Sequence, residues 1–117
     1  MNEEKKTCFV IMPISDPSGY EEGHFLKVYQ DVFSPAIEAA GYIPHRVDED
    51  SKSSLIQTKI IKNLLEAPMA ICDLSTRNPN VLFELGIRQA FNKPVVIVQQ
   101  EGTERLTIKS QPKCVER

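Results

Sequence analysis

The sequence predicts an α/β fold in which helices cover both faces of a parallel sheet, and three observations predict it. Strand-like and helix-like segments alternate along the 117 residues. The strand-like segments are short, continuous apolar runs, which are typical of strands buried on both faces. The segments between them are long enough to be the helical crossovers that join parallel strands.

The first strand is predicted at residues 7–12, an apolar run that ends at Pro13. A loop rich in Ser, Asp, Pro and Gly follows, up to Gly23. Apolar residues then recur at three- and four-residue spacing over 24–40, which predicts a helix. Pro35 lies inside this helix and should kink or split it.

The middle of the chain predicts a strand and a second helix. Gly41 is a natural stop for the first helix. Residues 42–47 predict a second strand, and Pro44 within it indicates an edge position because proline cannot donate to a neighbouring strand. Apolar residues at helical spacing predict the second helix over 55–65.

Two further strands and a third helix complete the predicted elements. Residues 69–72 form a short apolar strand that ends at Asp73, and residues 95–98 form another. Asn78 followed by Pro79 is a strong helix start, with asparagine as the N-cap and proline in the first turn. This third helix should run to about Phe91 and stop at Asn92.

These elements predict a flavodoxin-like three-layer sandwich with strand order 2-1-3-4. The α/β domain covers 7–99, after an N-terminal tail at 1–6. Residues 100–117 show little pattern and are expected to be an irregular or truncated tail in which a fifth strand is missing or irregular. Ligands of such folds bind beyond the carboxyl ends of the strands.

Composition narrows the classes of function. The net charge of −2 argues against bulk nucleic-acid binding, which relies on many cations. No apolar run is long enough to span a membrane, and the N-terminus lacks the apolar core of a secretory signal. Cys8, Cys72 and Cys114 have neither disulfide nor zinc spacing, so we expect reduced thiols and a cytoplasmic protein.

The third helix carries the most informative polar residues. At about 100° per residue, Asn80, Glu84 and Arg88 form one narrow stripe on an otherwise mostly apolar helix. In one interpretation, this stripe faces solvent and Glu84 pairs with Arg88. In the other, it lines the cleft, and Glu84 is a desolvated nucleophile or acid–base group. The sequence alone leaves both open.

Other polar residues lie near the predicted ligand-binding edge. Asp73 ends a buried strand there, where it either contacts a ligand or closes a turn. Asn78 is explained as an N-cap, while the free amides of its helix, together with Arg77, could hold an anion. His24 and His45 have no metal-ligand spacing and are expected at the surface. Neither a dinucleotide fingerprint nor a Walker loop is present, so we expect no metal and no cofactor.

The stretch Asn78-Pro79-Asn80-Val81-Leu82-Phe83-Glu84-Leu85-Gly86 resembles the nucleoside 2-deoxyribosyltransferase-like superfamily, in its bacterial branch close to TIR-like domains. Residues 9–15, 71–74 and 93–97 share the resemblance, which spans about 7–99. It implies a flavodoxin-like fold and N-glycosidic bond cleavage. The sequence departs from the family at Ile14, where an aromatic residue is common, and its first strand lacks the family tyrosine.

The resemblance also implies roles for single residues. Glu84 matches the catalytic glutamate, and Asp73 matches an acidic position after the third strand. Asn78 stands where many members carry an aspartate. Asp73 and Asn78 would position the sugar and Glu84. The substrate would be a nucleoside, a nucleotide or an NAD-like dinucleotide, and shared sites in the family imply a homo-oligomer. The predicted substrate-binding residues are Met12, Pro13, Ile14, Ser15, Tyr20, Arg77 and Asn80.

Two other classes of function stay open. One is a non-catalytic or TIR-like module that senses a nucleotide and signals through self-association. The other is a truncated fragment, in which one face of the strand at 95–98 would lie exposed for want of a last helix. Release of a nucleobase separates an enzyme from both.

Overall fold

A computed structural model describes residues 6–13, 19–46, 53–76, 78–100 and 114–116, with the backbone alone for 53–57 and 114–116. Its strands form one parallel sheet in the order β2-β1-β3-β4-β5. The predicted order of the first four strands is confirmed. The strands are β1 (Lys6–Ile11), β2 (Tyr42–His45), β3 (Met69–Asp73), β4 (Val95–Gln99) and β5 (Cys114–Glu116).

The helices lie between the strands, as predicted. The first helical region contains three consecutive segments, and Pro35 follows its middle segment, which is a π-helix. Proline has no N–H to donate to the preceding turn, so a local change of helical pitch at this point is expected. The helices are α1 (His24–Val28), the π segment (Tyr29–Phe33), α2 (Ser34–Ala39), α3 (Ser53–Glu66) and α4 (Pro79–Ala90).

The strand β5 was not predicted. It lies in the segment expected to be irregular, and it pairs parallel with β4 through Ile97 and Cys114. Three residues are too few for an alternating pattern to be recognised in the sequence. The sheet therefore has a fifth strand beyond the four that the sequence indicates.

Side chains of β1 alternate between two cores, one on each face of the sheet. Phe9 and Ile11 pack with residues of α3 and α4, whereas Cys8, Val10 and Met12 pack with residues of α1, the π segment and α2. Both cores are buried, so the residues of β1 that face either core are apolar. Cys8 and Cys72 are buried within these cores, and neither forms a disulfide.

The boundaries of the elements follow local sequence signals. Gly41 and Asn92 adopt φ angles of 89° and 55°, the left-handed conformation that ends a helix. Pro44 lies in β2, which is an edge strand of the sheet, as expected. At β4, Val96 is 39% exposed while Val98 is 6% exposed, so the face they share is only partly covered. None of the described helices is both long and apolar enough to cross a bilayer.

Candidate active site

The helix α4 begins at the carboxyl edge of the sheet, and Asn78 fixes its start. The Asn78 Oδ1 atom accepts hydrogen bonds from the backbone N–H groups of Asn80 (2.8 Å) and Val81 (3.3 Å). The Thr76 hydroxyl oxygen accepts one from the Asn78 N–H at 3.3 Å. The predicted N-cap is confirmed. Because Oδ1 holds the helix end, the remaining amide nitrogen of Asn78 is the atom with which it could meet a ligand.

Asp73 holds the turn that follows β3. Its side chain is 1% exposed, and Oδ1 accepts from the Ser75 backbone N–H at 3.0 Å and from the Ser75 hydroxyl at 2.5 Å. The Ser75 hydroxyl oxygen in turn accepts from the Gln100 N–H at 2.8 Å. Asp73 thus joins the loops after β3 and β4. Of its two predicted roles, the turn role is the one these contacts demonstrate.

Sequence reasoning missed Ser75, which is 8% exposed and connects these two loops. The available signal was the spacing Asp-x-Ser, in which a carboxylate oxygen accepts from the N–H two residues further on. That spacing predicts the Asp73–Ser75 turn. It carries no information about Gln100, because a contact between two strand ends depends on the register of the sheet.

The exposure of the side chains decreases along the predicted polar stripe of α4. Asn80 is exposed, Glu84 is partly buried, and Arg88 is 0% exposed. Arg88 donates from Nε to the Pro94 carbonyl oxygen (3.0 Å) and from Nη1 to the Leu64 carbonyl oxygen (3.1 Å). The interpretation of a solvent-facing stripe with a Glu84–Arg88 pair is therefore wrong. Arg88 is directed into the protein, where it joins the ends of two other elements.

The apolar residues of α4 and its C-terminal end are not all buried. Phe83 is 66% exposed and Phe91 is 60% exposed, while Val81 and Leu85 are buried. A helix on the outer layer of a three-layer sandwich packs on the sheet with only one side, so its outward apolar residues stay exposed. Because apolar residues surround most of α4, the hydrophobic pattern could not show which side of the helix packs on the sheet.

Glu84 lies at the border of the buried side of α4. It precedes Arg88 by four residues, so the two lie on the same side of the helix, one turn apart. Arg88 reaches α3 from this side, and Glu84 is one turn nearer the carboxyl edge. Burial raises the pKa of the Glu84 carboxyl from 4.5 to about 7. No charged group among the described residues contributes to this shift.

A carboxyl group with this pKa can act in both protonation states near neutral pH. Its ionised form has lost part of its hydration, which makes it a stronger nucleophile, and its protonated form can donate a proton. An ordinary surface glutamate is almost wholly ionised and fully hydrated at this pH. Desolvation without a cationic partner is the arrangement expected of a functional carboxylate rather than of a surface ion pair.

Of the predicted substrate-binding residues, the structure describes Met12, Pro13, Tyr20 and Asn80, which lie at or beside the same edge of the sheet. Met12 is 6% exposed, and Pro13 is also buried. The Pro13 carbonyl oxygen accepts from Arg46 Nη2 at 3.3 Å, and the Arg46 guanidinium lies 5.8 Å from the centre of the Tyr29 ring. Sequence analysis did not select Arg46. Ile14, Ser15 and Arg77 lie outside the described residues.

Tyr20 belongs to a small aromatic cluster beside this edge. Its ring centre lies 4.9 Å from that of His24 and 5.1 Å from that of Phe25. His24 is partly buried, which corrects the expectation of a surface histidine, because the rings of Tyr20 and Phe25 cover it. His45 is likewise partly buried, next to the Phe9 ring at 6.0 Å.

Within the described ranges, no three His, Cys, Asp or Glu side chains come together in a way that could hold a metal ion. No family model matches the chain, and no curated protein matches it significantly.

Proposed function

We propose that the protein cleaves or transfers the N-glycosidic bond of a nucleoside, a nucleotide or an NAD-like dinucleotide, with Glu84 as the nucleophile. The observation that carries this proposal is the Glu84 carboxyl group, which is partly buried, lacks a cationic partner among the described residues and has a pKa of about 7. The motif around it, with its likeness to the nucleoside 2-deoxyribosyltransferase-like superfamily, supplies the substrate class.

In the proposed reaction, a Glu84 carboxylate oxygen attacks the anomeric carbon of the sugar. The bond from that carbon to the base nitrogen breaks, and the electron pair leaves with the base, which takes up a proton. The enzyme then holds the sugar as an ester of Glu84. Water or a second base attacks the same carbon, which releases the carboxylate and completes hydrolysis or transfer.

The neighbouring residues take supporting roles in this proposal. Asn78 orients the sugar through its amide nitrogen, since its oxygen is held by the helix N-terminus. Asp73 acts as a positioning residue, because its carboxylate fixes the turn between β3 and α4. In this proposal, Met12, Pro13, Tyr20 and Asn80 bind the base. The sequence prediction adds Ile14, Ser15 and Arg77, which lie outside the described residues.

The test is release of a free base from a panel of nucleosides, nucleotides and NAD, followed by chromatography. We expect one substrate class to be cleaved, and Glu84→Gln to lower the rate by about a thousandfold or more, as for loss of a covalent nucleophile. Glu38→Gln is the matched control, since Glu38 is an exposed glutamate on α2. Equal rates in the wild-type protein and Glu84→Gln would rule out this mechanism.

The second candidate function is a nucleotide-sensing module that signals through self-association. Phe83 on α4 and Phe91 at the C-terminal end of that helix favour it, because both are exposed and exposed aromatic residues often mark interfaces between proteins. Here we expect saturable nucleotide binding, unchanged in Glu84→Gln, with no base released. Sedimentation with and without nucleotide would show whether binding changes the association state.

A further inference from the structure

The outward side of α4 is an exposed apolar surface. At about 100° per residue, Phe83, Gly86 and Ala90 fall within one sector of the helix, opposite the buried Val81. All three are exposed. Phe91, at the C-terminal end of the helix, adds a second exposed aromatic ring. Together, Phe83, Gly86, Ala90 and Phe91 form the outward face of α4.

The exposed residues of α4 also carry no charge. Asn80 is the one polar residue among them, since Glu84 is partly buried and Arg88 is fully buried. The neighbouring helix α3 differs, because it exposes charged residues such as Lys62 and Glu66. A helix face that stays in water is normally polar. The composition of α4 therefore indicates that another apolar surface covers its outward face.

Gly86 is not explained by packing within the domain. A Cβ atom at this position would meet no heavy atom of the described residues within 4 Å, and the backbone here is helical. A glycine inside a helix is less favourable than an alanine, so the fold gains nothing from it. Glycine does allow an outside group to approach the helix backbone closely. With Ala90 one turn further on, Gly86 leaves a shallow hollow between the two aromatic rings.

The outward face of α4 is complementary to itself. It has both projecting rings and a hollow, so a two-fold axis can place a ring of one copy on Gly86 and Ala90 of the other. Because the face has no charge, two copies meet without like-charge repulsion. A different protein would find no charge by which to be selected, and an anionic membrane would find no cation to bind. These features favour a second copy of this chain as the occupant.

The size of the outward face determines how strongly two copies associate. At their exposed fractions, Phe83 and Phe91 each leave about 100–150 Å² accessible. With the smaller residues, a symmetric pair would bury about 600–800 Å² in total, which is less than the ~1,200 Å² at which stable interfaces begin. We propose that the outward face of α4 is the interface of a weak, two-fold symmetric homodimer of this chain.

This homodimer gives the nucleotide-sensing candidate function a surface for self-association, and it does not depend on catalysis by Glu84. The test is therefore made without nucleotide, on the full chain, as its concentration is raised. In sedimentation velocity from about 10 µM to about 1 mM, we expect the sedimentation coefficient to rise from that of a monomer toward that of a dimer. Over the same series, the amide NMR signals that shift should be those of residues 79–91.

Gly86→Lys is the variant that tests the interface. It fills the hollow and brings two like charges together, so it should weaken association about tenfold or more. The midpoint of urea unfolding should not fall, because the position is open and lysine is a better helix former than glycine. Ala36→Lys is the matched control, since it adds the same side chain at an exposed alanine of α2, across the sheet. This control should associate like the wild-type protein.

Each of four results would overturn the proposal. The protein stays monomeric throughout the series, or Gly86→Lys associates as tightly as the wild type. The shifting amides lie outside residues 79–91, which would place the contact on another surface. The chain stays monomeric but sediments with phosphatidylcholine vesicles, which would assign the face to a membrane. Because no nucleotide is present, failure here is distinguishable from failure of the proposed catalytic or sensing function.

Discussion

The charged side chains in the two halves of α4 differ in their burial and in their hydrogen-bond partners. In the C-terminal half, Arg88 is fully buried, and its guanidinium donates to carbonyl oxygens of Leu64 and Pro94. In the N-terminal half, Glu84 is partly buried, and its carboxyl group has a raised pKa with no charged neighbour contributing to it. A charge with directed partners stabilises the fold, whereas a desolvated charge without them is available for chemistry.

Arg88 should therefore matter most for stability. Arg88→Ala removes two hydrogen bonds and a large buried side chain, and we expect the free energy of unfolding to fall by about 3 kcal/mol. Arg88→Met keeps most of the volume and loses only the hydrogen bonds, so its effect should be smaller. Urea denaturation of both variants measures the difference. Equal, small losses would mean that Arg88 does not join α3 to β4.

The buried Arg88 side chain has one further feature. Among the described residues its Nη2 atom has no hydrogen-bond partner. Burial lowers the pKa of this arginine, and its charge opposes the rise in the pKa of the Cys8 thiol, which burial brings to about 11. The Cys8 thiol is therefore protonated and unreactive at neutral pH. The C-terminal half of α4 thus has a structural role, without a reactive group.

Glu84 should make the free energy of unfolding depend on pH. Its pKa is raised in the folded protein, so the folded state binds the proton more tightly than the unfolded state does. Stability therefore falls as pH rises from 4.5 to about 7 and stays lower above that range. The loss should be on the order of 2 kcal/mol, and Glu84→Gln should abolish it. Urea denaturation across this pH range checks both statements, and a parallel pH profile in wild type and variant would contradict them.

Substitutions of the N-cap residue of α4 should have a smaller effect on stability. Asn78→Ala removes the acceptor for the N–H groups of Asn80 and Val81, and we expect it to cost about 1 kcal/mol of stability. Asn78→Ser retains a capping oxygen and should cost less. If Asn78 also orients the substrate, Asn78→Ser would lower base release despite near-normal stability. Unfolding curves and turnover measured on the same samples separate the two roles.

Phe83 should give the smallest change in stability. It is 66% exposed, so Phe83→Ser should alter the free energy of unfolding by less than about 0.5 kcal/mol. If the outward side of α4 mediates self-association, the same substitution would shift the protein toward the monomer. Sedimentation velocity measures this, with Leu26→Ser as the control, since Leu26 is 49% exposed on α1. A larger loss of stability would mean that Phe83 packs within the domain.

Much of this architecture could be predicted from the sequence because it depends on local signals. Pro44 indicated an edge strand, Asn78 the start of α4, and the apolar runs a sheet buried on both faces. The strand β5 could not be predicted, because it is three residues long and depends on pairing with β4.

The site was harder to predict than the fold. Sequence analysis singled out Glu84 but could not choose between a surface ion pair and a desolvated carboxyl, since both fit the same spacing. The choice depends on Arg88, whose side chain reaches carbonyl oxygens of α3 and of the segment before β4. Those partners lie 24 and 6 residues away along the chain, so no local pattern encodes them.

Titration of the Glu84 carboxyl group tests its desolvated environment most directly. The side-chain carboxyl carbon of Glu84 can be followed by NMR as pH is varied, with its signal assigned by its loss in Glu84→Gln. We predict a midpoint at about 7. A midpoint at the ordinary value of 4.5 would show a hydrated carboxylate and contradict the account.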